Sequence, residues 1–471
     1  MTDSHAELLP ATRRALDHRL ARAQSEGRVP SAVAAVVRAG RVIWSGGYGE
    51  LPAGVPPEDV QYRIGSITKT LTAVLVMRLR DEGLVDLSDP LGAHLEVPHG
   101  GEATLAQLLS HTGGLAAEAR GPWWERTPGS LRPELPDLFG PQPQKHPQGR
   151  RFHYSNPGFA LLGALVERLR GEPWFTVLRR EVLEPLGMRR TTLLPAAPYV
   201  EGWAVHPYAD VRQREPLVDT GRMAPAGQLW STAADLAAFA AFLASAGDTA
   251  GTGARAGAYE AVLSARTRAE MCLPTAPLDP DSWDVTYGLG VQLTRRPDGR
   301  VLAGHGGSMP GFVASLCADG TERLGAVALA NATSASGAVP AAELLELVAT
   351  REPAPPRPWR PMPVADADPA LLALAGVWYW GTAPYRLGVH AGRTLTLRPV
   401  EDAGTRASRF LPRPEGDWRG LDGYFAGETL RAVTDEAGRV THLDLGSFVF
   451  TREPYDPAAP LPGGADPEGW R

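Results

Sequence analysis

The order of strand-like and helical segments constrains the fold of this chain more than any other feature of its sequence. Strand-forming runs lie near both ends of residues 1–350, at 31–37, 41–48, 287–293, 301–305, 312–317 and 324–330. Helical spacing of apolar residues predicts helices at 11–26, 104–109, 157–170, 173–183, 232–246 and 337–349, with one more beginning at Ser66. This order predicts an α+β fold, in which an antiparallel sheet built from both ends is flanked by helices and joined by an all-helical region.

A second domain is predicted after a proline-rich linker. Residues 351–366 contain many prolines, which favour an extended, stiff connection. Short strand-like runs separated by turn residues then occur at 376–380, 385–389, 394–399, 424–425, 429–433 and 440–445. We therefore interpret residues 367–455 as a small all-β barrel or sandwich. Residues 456–471 are rich in Pro, Gly and Asp and are predicted to form a frayed tail.

Composition and charge exclude several classes of function. The chain has 471 residues, of which 43% are hydrophobic and 21% charged, as in an ordinary globular protein. Its net charge of −6 gives no overall basic surface for nucleic acid or for an anionic membrane. We expect neither of these partners.

Other residue types argue against disulfides, metals and export. The cysteines, Cys272 and Cys317, lie in apolar segments and are typical of buried thiols. The histidines show no metal-ligand spacing, so we expect no metal and no cofactor. The first residues lack a basic region followed by an apolar stretch, and no run is long enough to span a membrane. These observations predict a cytoplasmic protein.

A rare lysine marks the first candidate for catalysis. Of 47 basic residues only Lys69 and Lys145 are lysines, and Lys69 lies three residues after Ser66. Arginine keeps its proton near neutral pH, whereas a desolvated lysine can release it. In a helix that begins at Ser66, the two side chains share one face, so Lys69 can activate the Ser66 hydroxyl as a nucleophile. The alternative is an ordinary serine N-cap followed by a solvated lysine.

A second motif precedes the helix predicted at 157–170. Tyr154 can act as a general base if neighbouring cations lower its pKa, and Lys69 is a candidate neighbour. The amide of Asn156 can bond a substrate carbonyl and Lys69 at the same time. The alternative is that Tyr154 is a buried aromatic residue and that Asn156 caps the helix.

A third motif, Gly304-His305-Gly306-Gly307-Ser308, follows a predicted strand. Glycines such as Gly307 let the backbone approach a ligand closely. The backbone N–H of Ser308 could bind an oxyanion opposite that of Ser66. His305 could hold a carboxylate or carry a proton. The alternative is a glycine-rich turn with His305 merely exposed.

The order Ser-x-x-Lys, Tyr-x-Asn and His-Gly-Gly resembles the serine hydrolases of the penicillin-binding-protein and class C β-lactamase type. Segments 108–115, 185–188 and 226–232 add to the resemblance, which spans roughly residues 10–350. The layout is most similar to stand-alone penicillin-binding-protein-type thioesterases, which pair this transpeptidase-like domain with a small lipocalin-like barrel.

The resemblance implies a role for each motif. Ser66 would be the acylated nucleophile, Lys69 and Tyr154 the base system, and Asn156 the group that positions the acyl chain. Ser308 would complete the oxyanion hole with Ser66.

His305 marks a difference within the resembled family. It stands where β-lactamases have a lysine, which argues against lactam hydrolysis. Peptidases and esterases of the family tolerate histidine at this position.

A cytoplasmic enzyme of this type needs a cytoplasmic acyl donor. The resemblance implies a peptide held as a thioester on the carrier protein of a nonribosomal peptide synthetase. Ser66 would accept the peptide, and the peptide's N-terminal amine would release it as a head-to-tail macrolactam. A D-residue is expected at the acyl terminus and an L-residue at the attacking amine.

Alternative functions remain open. One is a D-specific peptidase, of the D-Ala-D-Ala carboxypeptidase or D-aminopeptidase type, or a carboxylesterase. Another is a sensor that stays acylated. The barrel could stabilise the protein, or it could bring Arg431 or Arg452 to the substrate.

Overall fold

The computed structural model of the protein describes residues 7–246, 254–333, 335–354, 367–401 and 407–455, and the single residues 359, 361, 363 and 460. The chain divides into two compact units, Met1–Pro355 and Pro356–Arg471. Most of the predicted linker lies outside the described residues, as does almost all of the predicted tail.

The first unit begins with a helix and two strands at the predicted positions, and the strands pair as a hairpin. Its first elements are α1 (Pro10–Glu26), β1 (Ser31–Arg38), β2 (Arg41–Gly49), β3 (Tyr62–Arg63) and α2 (Ile67–Asp81). The two turn residues of the hairpin, Ala39 and Gly40, have φ angles of 49° and 82°. Positive φ at both positions matches the twist of the paired strands.

The middle of the first unit is mainly helical. Its helices are α3 (Leu105–Leu109), α4 (Asn156–Arg170), α5 (Trp174–Leu178), α6 (Glu184–Leu186), α7 (Ala224–Gly227), α8 (Ala233–Ala244), α9 (Ala254–Val262) and α10 (Ala265–Met271). A π-helical turn (Arg179–Leu183) joins α5 to α6, and three short strands are β4 (Trp203–Val205), β5 (Arg212–Arg214) and β6 (Trp230–Ser231). Single 3₁₀ turns lie at Pro57–Asp59, Leu91–Ala93, Trp124–Arg126, Gly129–Leu131, Leu135–Leu138, Gly221–Met223 and Ser336–Ala338. Thr232 caps α8 by accepting the Asp235 N–H at 3.1 Å, which confirms the predicted start of that helix.

The last part of the first unit supplies most of the main sheet. Its elements are β7 (Ala276–Asp279), β8 (Ser282–Tyr287), β9 (Gln292–Arg295), β10 (Val301–Met309), β11 (Phe312–Asp319), β12 (Leu324–Ala330) and α11 (Ala341–Arg351). The single strand predicted at 287–293 is wrong, because β8 ends there and β9 begins. Gly290 has a φ of 77° in the intervening turn, a left-handed conformation that reverses the chain.

Eight strands form the main sheet, in the order β2-β1-β12-β11-β10-β9-β8-β7. Every neighbouring pair is antiparallel, and β1 pairs with β12 through Ala32–Ala330 to Arg38–Leu324. This pairing joins the two ends of the unit, which confirms the predicted α+β fold.

The main sheet separates two apolar cores. Side chains alternate along β1, so that Val33 and Ala35 pack with α2 and α8, whereas Ala32 and Ala34 pack with α1 and α11. The first core also contains the buried faces of the middle helices, including α4. No helix among the described residues is long and apolar enough to cross a membrane.

The second unit is a closed barrel of eight antiparallel strands after a short helix, α12 (Pro369–Leu372). The strands are β13 (Gly376–Trp380), β14 (Ala383–Val389), β15 (Leu395–Pro399), β16 (Ser408–Pro412), β17 (Trp418–Gly420), β18 (Thr429–Thr434), β19 (Val440–Leu445) and β20 (Phe448–Thr451). Short 3₁₀ turns lie at Ala391–Arg393 and Gly423–Phe425, so the strand predicted at 424–425 is wrong. The barrel alternative of the prediction is confirmed, although β16, β17 and β20 were not predicted.

Arg431 and Arg452 both interact with residues of the second unit. The Arg452 guanidinium lies 3.9 Å from the centroid of the Trp378 ring and donates to the carbonyl oxygens of Ala375 and Val377 at 3.2 and 3.3 Å. Arg431 lies 3.7 and 3.9 Å from two aspartates. Contact of either arginine with a substrate stays a prediction.

Candidate active site

Ser66 lies at the N-terminal end of α2, with its hydroxyl free of a capping role. The residue has helical φ and ψ angles of −65° and −7°, and its side chain makes no cap hydrogen bond. The alternative of an ordinary N-cap is therefore excluded. The positive end of the helix dipole lies at this hydroxyl, where it favours a developing negative charge.

Lys69 is fully buried one turn along the same helix. Its Nζ lies 3.0 Å from Ser66 Oγ and donates to Ala226 O at 2.6 Å. Burial lowers the pKa of Lys69 to about 7, although the carboxylates of Glu118 and Glu125 act in the opposite direction. A large fraction of Lys69 is consequently neutral near pH 7, and its lone pair can accept the Ser66 proton.

Tyr154 stands over the same pair, but its ionisation differs from the prediction. Lys69 Nζ lies 4.9 Å from the centroid of the Tyr154 ring, and the phenol is within hydrogen-bonding reach of Ser66. Burial raises the pKa of Tyr154, and the Ser66 hydroxyl offsets this only in part. The lowered pKa that a Tyr154 base would require is therefore not found, because burial dominates and the carboxylates of Glu118 and Glu125 raise the pKa further. Tyr154 remains a neutral hydrogen-bonding group beside Ser66.

Asn156 is oriented by a carboxylate that no sequence motif identified. Ser155 caps α4 by accepting the Gly158 N–H at 3.1 Å, so Asn156 is not the helix cap. Asn156 Nδ2 donates to both carboxylate oxygens of Glu118, at 3.1 and 3.0 Å. Trp124 Nε1 holds the same carboxylate at 2.6 Å. Because a carboxylate only accepts hydrogen bonds, Glu118 holds the Asn156 amide with its NH₂ group toward the carboxylate.

Strand β10 passes directly against the start of α2. A Cβ built on Gly65 would lie 2.5 Å from Ser308 N, and one built on Gly307 would lie 1.9 Å from Ile64 O and 3.3 Å from Ser66 N. This close approach depends on glycine at both positions. It brings the backbone of Ser308 close to that of Ser66, as the predicted oxyanion hole requires.

His305 lies on β10 as a neutral ring with both nitrogens engaged. Its Nδ1 pairs with Gly306 O, and its Nε2 lies 2.9 Å from the Tyr287 hydroxyl. Burial lowers the pKa of His305 to about 4, and Lys69 adds to this effect. Because Nδ1–H donates to the carbonyl, Nε2 accepts a hydrogen bond from the Tyr287 hydroxyl. Because His305 is buried, the alternative of an exposed histidine is wrong. Its roles in holding a carboxylate or carrying a proton stay predictions.

The structure thus places Ser66, Lys69 and Tyr154 in mutual contact, with Ser308 beside Ser66. It adds groups that the sequence did not single out, chiefly Glu118 and Tyr287. Glu118 contacts Asn156 from 38 residues away, and Tyr287 contacts His305 from 18 residues away. Local spacing carries no signal for either contact.

Two family models match the chain, one in each unit. The beta-lactamase model matches residues 13–350, which include all three motifs of the candidate site. A domain of unknown function (DUF7586) matches residues 367–452, the barrel. The first match covers well over half of the chain.

Individual proteins give the same result. The Homo sapiens protein named putative beta-lactamase-like 1 is 32% identical over 266 residues, which cover 51% of this chain and 52% of that protein. The chain spans about half the length of the curated relatives that it matches.

Two solved structures are similar as well. The D-stereospecific amidohydrolase from Streptomyces sp. is 25% identical with a TM-score of 0.56, covering 73% of this chain and 99% of that one. SurE with D-Leu is 26% identical with a TM-score of 0.55, covering 94% and 100%. The family match and the geometry together show that this chain belongs to the β-lactamase and penicillin-binding-protein family of serine hydrolases.

Proposed function

We propose that the protein is a thioesterase and cyclase that works through an acyl-enzyme at Ser66. The observation that carries the proposal is the 3.0 Å contact between Ser66 Oγ and a buried lysine whose pKa is lowered to about 7. Lys69 accepts the Ser66 proton while Ser66 Oγ attacks the thioester carbonyl. The C–S bond then breaks, and the thiol leaves with the proton.

The neutral ring of His305 favours a donor without a free carboxylate. A cation beside the scissile bond would favour a substrate that ends in a carboxylate there, and burial and Lys69 disfavour the charged form of His305. A peptide thioester carries no such carboxylate. This argument favours a peptide on a carrier protein over a carboxypeptidase substrate or a β-lactam.

Release by the peptide's own amine completes the proposed reaction. The N-terminal amine attacks the ester carbonyl, its proton passes to the base, and Ser66 is regenerated as the macrolactam forms. Both partners are parts of one molecule, so the amine has an effective concentration far above that of an external amine.

A D-residue at the acyl terminus is the proposed stereochemical preference. Its support comes from two similar structures, one of a D-stereospecific amidohydrolase and one with D-Leu bound. A D-specific amidase or peptidase is the second candidate, favoured because the amidohydrolase resembles the catalytic unit across 99% of its own chain.

Mass spectrometry on a small-molecule peptide thioester tests the proposal. The peptide has an L-residue first and a D-residue last, and we expect thiol release together with the cyclic product. Ser66→Ala should give neither, and an L-residue at the end should react slowly. Formation of the linear acid alone would identify a hydrolase, and the absence of a covalent adduct would refute the assigned nucleophile.

A further inference from the structure

A strongly basic segment, residues 145–153, leads directly into the candidate site. It contains Lys145, Arg150 and Arg151 together with two histidines, and no acidic residue occurs between Asp137 and Glu167. Over the whole chain acidic residues outnumber basic ones, with 53 Asp and Glu against 47 Lys and Arg. Positive charge is therefore concentrated here against the overall balance.

The three long cations of the basic segment are exposed and make no ion pair with the described residues. Lys145, Arg150 and Arg151 are all exposed at the surface. Many arginines form ion pairs among the described residues, including Arg78, Arg170 and several in the barrel. The three cations of the basic segment form none there. Their positive charge also acts on a neighbouring side chain. The pKa of His153 is lowered first by burial and then by the charges of His146, Arg151 and Lys145.

The basic segment is fixed beside the nucleophile. Lys145 N–H donates to Gly114 O at 2.8 Å, and His153 N–H donates to His111 O at 2.7 Å. The next residue, Tyr154, contacts Lys69. Three residues of extended chain span at most about 10 Å, so the backbone of Arg151 lies within that distance of Tyr154.

We infer that the basic segment is the docking surface for the acidic face of the carrier protein that delivers the thioester. This inference rests on the proposed function. An acidic carrier is repelled by a chain with a net charge of −6, except where unpaired cations cluster. Charge complementarity at this place would orient the carrier so that its long thioester arm reaches Ser66.

Kinetics on two substrates test the inference. The variant Lys145→Gln/Arg150→Gln/Arg151→Gln is compared with the wild-type protein on a peptidyl carrier protein and on the same peptide as a small-molecule thioester. We expect kcat/KM on the carrier substrate to fall about tenfold or more at low salt, as is typical for loss of electrostatic steering. The rate on the small thioester should stay within twofold, and added salt should bring the wild-type rate on the carrier close to that of the variant.

A matched control removes three other exposed cations. Arg13→Gln/Arg14→Gln/Arg41→Gln changes the net charge equally, on α1 and β2 and away from the site. It should leave both rates unchanged. An unchanged carrier rate in the 145/150/151 variant, or an equal loss on both substrates, would overturn the inference. If the wild-type protein uses the small thioester but never the carrier substrate, the proposed function itself fails.

The carrier's arm also bears a phosphate, which is a second source of negative charge. A free phosphopantetheine thioester of the same peptide separates the two sources. An unchanged rate for the 145/150/151 variant on this substrate supports docking of the protein surface. A loss as large as that on the whole carrier would assign the basic segment to the phosphate and overturn the docking surface.

Discussion

At the scale of single residues, the site depends on how burial acts on two side chains of opposite type. Lys69 loses part of its charge because the buried ammonium is poorly solvated, and Tyr154 keeps its proton for the same reason. The same burial therefore gives Ser66 a lysine that can lose its proton and a phenol that keeps its own. Arginine could not replace Lys69, because its guanidinium does not deprotonate near neutral pH.

Replacing this lysine is expected to remove the base while keeping a cation. Lys69→Arg should slow acylation of Ser66 by about 10²–10⁴-fold, the usual contribution of a general base. In the wild-type protein, acylation should rise about tenfold between pH 6 and pH 8, because neutral Lys69 accumulates above its pKa of about 7. Stopped-flow release of the thiol measures both effects. A rate independent of pH across this range would contradict the assignment of Lys69 as the base.

Removal of the phenol is expected to have a different signature. Tyr154→Phe should slow acylation about 100-fold by removing a hydrogen bond to the reacting hydroxyl. The rise in rate near pH 7 should remain, because Tyr154 does not ionise in this range. The pH profile of the variant measures this, and a profile that loses its rise would show that Tyr154 is the titrating base.

At the scale of elements, the site is made where β10 passes the first turn of α2. Two glycines, Gly65 and Gly307, allow this contact, since a side chain at either position would meet backbone atoms. Backbone atoms cannot rotate away as a flexible side chain can. The distance between the backbone nitrogens of Ser66 and Ser308, the two donors of the proposed oxyanion hole, is therefore set by how closely a strand and a helix approach each other.

Adjacent glycines on β10 provide a test of this contact. A Cβ at Gly307 would lie 1.9 Å from Ile64 O, whereas a Cβ at Gly306 would meet no atom within 4 Å. Gly307→Ala should move the strand and reduce kcat about 100-fold, the scale of losing one oxyanion donor. Gly306→Ala should retain wild-type activity. Acylation rates and melting temperatures of both variants are compared, and equal activity in the two would refute the proposed oxyanion hole.

At the scale of the whole molecule, the two units have separate apolar cores. The main sheet of the first unit packs helices on both faces, and the barrel encloses its own cluster of residues around Trp378 and Phe410. Closure of the eight strands leaves no exposed sheet edge in the barrel. Each unit therefore has the physical requirements for folding by itself.

The isolated barrel provides the corresponding test. Residues 367–455 expressed alone should unfold cooperatively on heating, because the described core lies within this range. Trp378 is fully buried and donates to Leu374 O at 2.7 Å, so Trp378→Ala should cost about 3–5 kcal/mol. Circular dichroism and tryptophan fluorescence follow both transitions. A gradual, non-cooperative melt of the unsubstituted barrel would show that it needs the first unit.

The sequence by itself determined the elements and the local spacings. Helical period, β-rich runs and the Thr232 cap depend on neighbours in the chain, and so does the i to i+3 relation of Ser66 and Lys69. These features predicted the main sheet and the nucleophile–lysine pair. They failed where a local pattern was ambiguous, as at the turn around Gly290, whose left-handed backbone splits one apolar run into two strands.

Only the tertiary structure decided the charge states and the supporting partners of the site. The pKa values of Lys69 and Tyr154 depend on burial by segments distant in the chain, which no spacing encodes. The same holds for the hydrogen bond between Glu118 and Asn156, since a loop and the start of a helix meet only when the fold brings them together. Sequence motifs thus fixed which groups can react, and long-range packing set their protonation and orientation, because solvation and contact are properties of the folded chain.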